Sequence, residues 1–391
     1  MYNYFPNIRQ REDDCLRFLY TITIELFCHR ICRYMRILLL ILQIILITSN
    51  TYYFMKEFNI TFFNQYISGY VGHLGFTIFN GTLLWKEPAL LNFSKEALQY
   101  CWAIDSTRKE TERRIIKEAT LITIIVKAHL ILMVITSLVV FPVGKEREFQ
   151  FALYSFREYF SSIRYLLEAI FYGFFPLISF VVTFVVYSVL YLVYNERFQM
   201  YLLLDCINYL SADYENVDDT KLLESTEYQK VIKKRLHFLV VRHNELTRLG
   251  TTVCDLAAQL LPPIAIAGIL LCLSAMSFAY LGDFFGYWCY FQNFVWCLTT
   301  VTTGVLIIKC GQDYEDASET IFPAIYETRW ITFNKSNRQT ILMILMNSQE
   351  PLKMKFTDNV ACNYELGMAL TRNLYSFAAV MARLGDFQSL Q

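Results

Sequence analysis

Ionisable and amide side chains interrupt the last apolar stretch of this 391-residue chain, Phe356 to Leu384. Asp358, Glu365 and Arg372 follow one another at intervals of seven, and Ala379 continues the series. On a helix that spacing places them along one face. A charge held in hydrocarbon costs about 2.5–3.5 kcal/mol even on the lenient insertion scale, so a membrane helix keeps such a stripe only where it meets protein or water. The chemistry offered is electrostatic: carboxylates at Asp358 and Glu365 would concentrate cations along a water-filled path, with Arg372 available to pair across helices. Motifs for covalent chemistry are missing. The chain has no glycine-rich phosphate loop, no Gly-x-Ser-x-Gly, no His-Glu-x-x-His, and no carboxylate pair flanking a histidine. Its 11 cysteines form no Cys-x-x-Cys pair and its five histidines do not cluster with them, so neither a zinc site nor a bound cofactor is expected. A net charge of zero gives no bulk attraction to nucleic acid.

The elements that must carry this stripe are membrane helices. The composition is 55% hydrophobic and 18% charged, with a mean hydropathy of +0.33, which reads as an all-α, polytopic membrane protein. Seven segments have spanning length: Ile37–Met55, Tyr66–Leu84, Ala119–Val143, Ala169–Tyr194, Leu256–Leu281, Phe284–Ile308 and the polar Phe356–Leu384. Lys and Arg alternate sharply between the connections, with 27 on the side of the N-terminus and 6 on the other. That bias predicts an N-terminus inside and a C-terminus outside. The predicted organisation is a cytoplasmic segment 1–36, spans one to four over 37–194, and an inside helical extension 195–255. Spans five and six over 256–308, an inside helix 309–355, and the seventh span with a short outer tail over 356–391 complete it. Within 195–255, Tyr201, Leu202, Leu204, Ile207 and Leu210 repeat at helical spacing, as do Ile321, Ile325, Trp330, Ile341 and Leu345 further on. The stretch Ser211–Thr220 reads as a mobile acidic loop, and Asn59-Ile60-Thr61 as a glycosylation sequon in the first outer loop.

The C-terminal third carries a set of short motifs: Ala324-Ile325-Tyr326-Glu327 with Trp330, then Ile341-Leu342-Met343-Ile344-Leu345, then Ser348-Gln349-Glu350-Pro351-Leu352, and Leu374-Tyr375-Ser376-Phe377 in the last span. In that order they resemble the insect odorant receptors. Upstream the likeness is architectural: length, seven spans and inverted orientation. The resemblance implies a subunit of a tetrameric, ligand-gated cation channel in the plasma membrane of a sensory neuron dendrite, assembled with a shared co-receptor subunit. The chain is shorter than that co-receptor and lacks its long inside insertion, so it looks like the odorant-specific subunit. Its implied partners are a small volatile apolar ligand, the co-receptor, membrane lipid and permeating cations. The seventh helix would line the pore, with an apolar gate carried onto Val380, Met381 and Leu384, with Ala379 beside them and with Arg383 as a departure from the family's pattern.

The resemblance also places a ligand pocket in the outer half of the bundle. A volatile ligand needs a concave, dry, aromatic-rich site with few polar anchors. The matching positions are Tyr70 and His73 on span two, and Met133, Thr136, Ser137 and Val140 on span three. Tyr172 and Phe175 on span four and Tyr287, Tyr290 and Phe291 on span six complete the set. Aromatic residues also gather at membrane interfaces without binding anything. His73 is the one deep histidine of span two, suited to donating to an ester or ketone, or equally to a backbone carbonyl. Two other readings stay open: a gustatory channel of the same superfamily with a non-volatile ligand, and a membrane transporter.

Overall fold

The computed structural model of the protein describes residues 14–26, 29–139, 150–281, 286–357 and 359–389. Its helices run in the order α1 (Arg17–Tyr20), α2 (Arg30–Lys56), α3 (Ile60–Tyr100), α4 (Lys109–Val139), α5 (Phe151–Tyr159), α6 (Arg164–Asn208), α7 (Asp219–Glu224), α8 (Thr226–Leu281), α9 (Tyr287–Glu319), α10 (Ile321–Tyr326), α11 (Lys335–Asn347) and α12 (Tyr364–Ser389). Two short antiparallel strands, β1 (Lys355–Thr357) and β2 (Val360–Ala361), lie before α12. At 1.5 Å per residue even α12, with 26 residues, is about 39 Å long, more than the roughly 30 Å of hydrocarbon in a bilayer. Helices α2, α4, α8 and α9 combine such length with strongly apolar, nearly uncharged windows. On α2 and α4 the residues Ile41, Ile45, Leu121, Ile131 and Leu138 stand exposed, as a lipid-facing surface requires.

Helices continue well past the apolar windows. The connection Trp85–Glu118, read as an inside loop, is mostly helical: α3 runs through Pro88 to Tyr100, and α4 begins at Lys109. The reason is a second buried stripe, in which Leu83, Glu87, Leu90, Phe93 and Ser94 recur at helical spacing. Glu87 is paired there with Arg36 of α2 at 2.9 Å. Likewise α6 continues to Asn208, and the first half of α8 packs with α10 and α11 in a core containing Tyr228, Leu239, Tyr314, Ile325, Phe333 and Ile341.

Charge is held inside this extension by direct partners. Arg242 lies 4.1 Å over the Trp102 ring and donates to Gln199 Oε1 at 2.7 Å, to Glu245 Oε2 at 3.1 Å and to the Tyr100 carbonyl. Glu196, beyond the fourth apolar segment, is fully buried. Burial pushes its carboxyl up to about 8, against a smaller opposing pull from Arg242. The acidic stretch Ser211–Thr220 is tied down rather than free. Arg329 donates to the carbonyls of Tyr214, Glu215 and Val217 and pairs with Asp219, and Arg235 pairs with Asp213.

The last apolar segment corrects the sequence reading most. Helix α12 starts at Tyr364, eight residues later than expected, because Phe356 and its neighbours form the β1–β2 hairpin. The Cys362 N–H donates to the Met354 carbonyl at 2.7 Å, closing the hairpin's end. Asn363 then caps the helix, its Oδ1 accepting from Leu366 N at 3.3 Å. Asp358 lies outside the described residues. Glu365 and Arg372 lie on α12, which begins at Tyr364.

Candidate ligand cavity and the face of the last helix

A cavity of about 250 Å³ opens between α3, α4, α6, α8, α9 and α12. That is slightly smaller than pockets for drug-sized ligands, which span about 300–1,000 Å³. Its aromatic wall is a cluster of three rings. Phe175 stacks on Trp296 with centroids 5.9 Å apart, and Phe76 meets both edge-on at 6.1 and 6.3 Å. Small residues make this geometry possible. A Cβ on Gly72 would lie 2.9 Å from Trp296 Cζ3, and one on Gly75 would lie 3.0 Å from the Ala267 Cβ, so α3 can approach α8 and α9 only with glycine there. The remaining wall is aliphatic, from Leu261, Ile264 and Gly268 of α8 and Ile307 and Ile308 of α9 to Leu366, Leu370 and Leu374 of α12.

Polar groups in the wall are few and mostly threonine: Thr136, Thr299, Thr300, Thr303 and Thr371. Two of them join α4 to α9. Thr136 and Thr299 share a hydrogen bond at 2.7 Å, and Thr303 meets His129 Nε2 at 3.0 Å. The other His129 nitrogen meets Tyr187 Oη of α6 at 2.9 Å, so this histidine links three helices. Lys127, one residue pair earlier, points the other way: it is exposed, with its ammonium 4.9 Å from the Phe18 ring centroid.

Of the residues expected at a ligand site, Met133, Thr136 and Phe175 line the cavity. His73 sits directly behind the aromatic wall, buried, 5.4 Å from the Phe171 ring and 6.2 Å from Phe175. Its Nε2 has no hydrogen-bond partner among the described residues. Ser137 is buried on α4 and donates to the Met133 carbonyl, and Tyr172 and Tyr290 belong to the aromatic packing around Phe171 and Phe278. Tyr70 turns toward α2, stacking on Phe54 and bonding Thr51 Oγ1 at 2.7 Å. Tyr287 is 94% exposed and Phe291 45%, so neither reaches the cavity. Val140 lies outside the described residues. For the ligand site the sequence reading named neither Trp296 nor any residue of α8. The available signal was the run of glycines on this helix, in which Gly72 and Gly75 lie one turn apart.

Helix α12 is two-faced. Leu366, Gly367, Leu370 and Leu374 turn toward α8, α9 and the cavity. Glu365, Arg372, Ala379, Val380 and Arg383 are exposed on the opposite side, and Tyr375 beside them is 76% exposed. Leu384 is within the helix, but its side chain lies outside the described set.

Comparison with known proteins fits this arrangement. The sequence model of the family described as 7tm Odorant receptor matches residues 83–375. The chain belongs to the odorant receptor family. Among curated protein sequences no relative matches it. Solved structures that share this receptor's fold include two of one olfactory receptor. One is the insect olfactory receptor OR5 from Machilis hrabei, with a TM-score of 0.71 at 11% identity over 91% of this chain and 90% of that one. The other is the same receptor in complex with eugenol, with a TM-score of 0.69 at 11% identity over 96% and 97%. Four of the receptor's helices, α2, α4, α8 and α9, are long and apolar enough to cross a membrane.

Proposed function

We propose that this receptor is the odorant-specific subunit of a heteromeric, non-selective cation channel formed with a co-receptor. A small volatile ligand in the cavity would gate it. The observation that carries this reading is the two-faced α12. One face packs against the cavity helices, and the other leaves Glu365, Arg372 and Arg383 without cover in the single subunit. Charged groups on a membrane helix belong against protein or water. A ring of such helices around a central path supplies both, with Glu365, Arg372 and Ala379 along the wider part and Val380 and Leu384 toward the apolar constriction. The complex of the related olfactory receptor with eugenol supports a ligand of that size class. A ligand bound more tightly by the open arrangement shifts the equilibrium toward it. Because Leu366, Leu370 and Leu374 of α12 form part of the cavity wall, occupancy acts on the pore helix without an intermediary. Membrane lipid covers α2 and α4. The positive-inside bias supports a cytoplasmic N-terminus, and the extended halves of α6, α8, α9 and α11 would join the subunits on that side.

The test is whole-cell current from cells expressing the chain with and without an insect co-receptor, challenged with an odorant panel. Current that requires the co-receptor, and whose open-state conductance changes when Val380 is replaced by Gln in a subunit that reaches the surface, is the expected result. Substrate uptake by the chain alone with no gated current would overturn the channel reading.

A further inference from the structure

The threonines of the cavity wall have their protons already engaged. Thr136 donates to the Leu132 carbonyl at 2.8 Å, Thr299 to Val295 at 2.8 Å, Thr300 to Trp296 at 2.9 Å, Thr303 to Thr299 at 2.7 Å and Thr371 to Gly367 at 2.8 Å. Each hydroxyl carries one proton and two lone pairs. The Thr136–Thr299 contact redistributes a proton between two hydroxyls without creating a spare one. Thr303 has a further demand on it from His129. Thr300 differs from these three: among the described residues it makes no cross-helix hydrogen bond, and its methyl lies close to α8, where a Cβ on Gly268 would be 3.3 Å from it.

The consequence is an asymmetry toward ligands. A ligand oxygen that can only accept must take a threonine proton away from a helix carbonyl, exchanging one hydrogen bond for another. A ligand that donates adds a bond to a free lone pair and breaks none. In an otherwise apolar cavity, one net hydrogen bond is a difference of about tenfold in affinity.

We propose that the cavity selects volatile molecules bearing a hydroxyl, alcohols or phenols, over ethers and ketones of the same size, with Thr300 Oγ1 as the accepting atom that sets the preference. This rests on the reading of the cavity as the ligand site.

Two isomers isolate the donor: 1-heptanol and hexyl methyl ether have the same atoms and nearly the same shape. The experiment measures the binding of each to the full-length receptor in lipid nanodiscs, read as the concentration dependence of the thermal unfolding midpoint. It is repeated on Thr300→Val, which keeps the shape, on Thr300→Ser, which keeps the hydroxyl, and on Gly304→Phe. A Cβ at Gly304 meets nothing within 4 Å, so the larger ring has space to enter beside the wall. The expected result is about tenfold tighter binding of the alcohol by the unaltered protein and Thr300→Ser, collapsing to within about threefold in Thr300→Val. Neither isomer binds Gly304→Phe. Equal affinity for the two isomers in the unaltered protein, both lost in Gly304→Phe, overturns the donor preference and leaves the cavity reading standing. A preference that persists in Thr300→Val overturns the assignment to Thr300. Undiminished binding to Gly304→Phe overturns the cavity as the site.

Discussion

Gly311 is the place on α9 where the chain leaves no space for even a methyl group. A Cβ there would lie 1.8 Å from the Cys362 carbonyl oxygen, 3.0 Å from its carbonyl carbon and 2.8 Å from Met354 Cε. An ordinary carbon–oxygen contact is about 3.3 Å, so Gly311→Ala forces the two backbones apart by about 1.5 Å. The side chain of Met354 can swing aside, but the Cys362 carbonyl cannot. Cys362 is bonded through its N–H to Met354, and the next residue caps α12. The strain therefore falls on the hairpin and the base of the last helix. Overpacking of this kind costs about 3 kcal/mol, reduced by roughly 1 kcal/mol from replacing glycine within a helix. Gly304, two turns earlier on the same helix, is the internal control: with open space beside it, Gly304→Ala gains the propensity term and meets no clash. Fluorescence-detected thermal unfolding of the detergent-solubilised receptor compares the two. Gly311→Ala should lower the apparent midpoint by about 2–3 °C, and Gly304→Ala should leave it unchanged or raise it. Equal midpoints for the two variants would refute the close approach of hairpin and helix.

Arg242→Ala strips a buried cation from Gln199 and the Tyr100 carbonyl and removes its stacking on Trp102; a loss of about 3–5 kcal/mol should show as loss of folded, monodisperse receptor on size exclusion. Glu196 binds a proton more tightly folded than unfolded, its carboxyl being raised from 4.5 to about 8, so the stability linked to it is fully present below about pH 4.5, declines as pH rises through this window, and is gone above about 8. Glu196→Gln should flatten that slope in midpoints measured across pH. Trp296→Ala opens the aromatic wall at a cost of about 3–5 kcal/mol and should shift the current-evoking ligands toward larger molecules in a homologous odorant series. Asn363→Ala removes the cap of α12 and should lower the unfolding midpoint by an amount worth about 1 kcal/mol.

The sequence marks the spans clearly because a run of apolar residues and a helix of spanning length are the same physical requirement. It marks the extensions less well, since Leu83, Glu87 and Leu90 show a helical stripe only to a reader who lets a helix pass through Pro88. The hairpin was visible in principle: Phe356-Thr357 and Val360-Ala361 flank Asp358-Asn359, a strand–turn–strand pattern that an apolar-window reading absorbs into a span. The cavity is harder, because its wall depends on which helices approach each other. Aromatic composition ranks Tyr287 and Phe291 alongside Phe175, yet only Phe175 turns inward. Trp296 becomes a wall only because Gly72 lies opposite, a relation between residues more than two hundred positions apart.

Helix α8 joins the cavity to the extension in one unbroken run of 56 residues, with Pro262 and Pro263 inside it. Below the prolines the helix is gripped by Arg242 and by buried Leu239, Leu246 and Leu249. Above them it borders the cavity with Ile264, Gly268 and Leu271. Proline removes the intrahelical bonds that resist bending, so the pair is a pivot placed between a fixed stem and a ligand-bearing arm. From Pro263 to Leu281 that arm is about 27 Å long at 1.5 Å per residue. A swing of about 5° carries its tip roughly 2.4 Å by the same helical geometry. If the cavity holds the ligand as proposed, a small change of side-chain packing there would be carried along this rod as displacement of its far end.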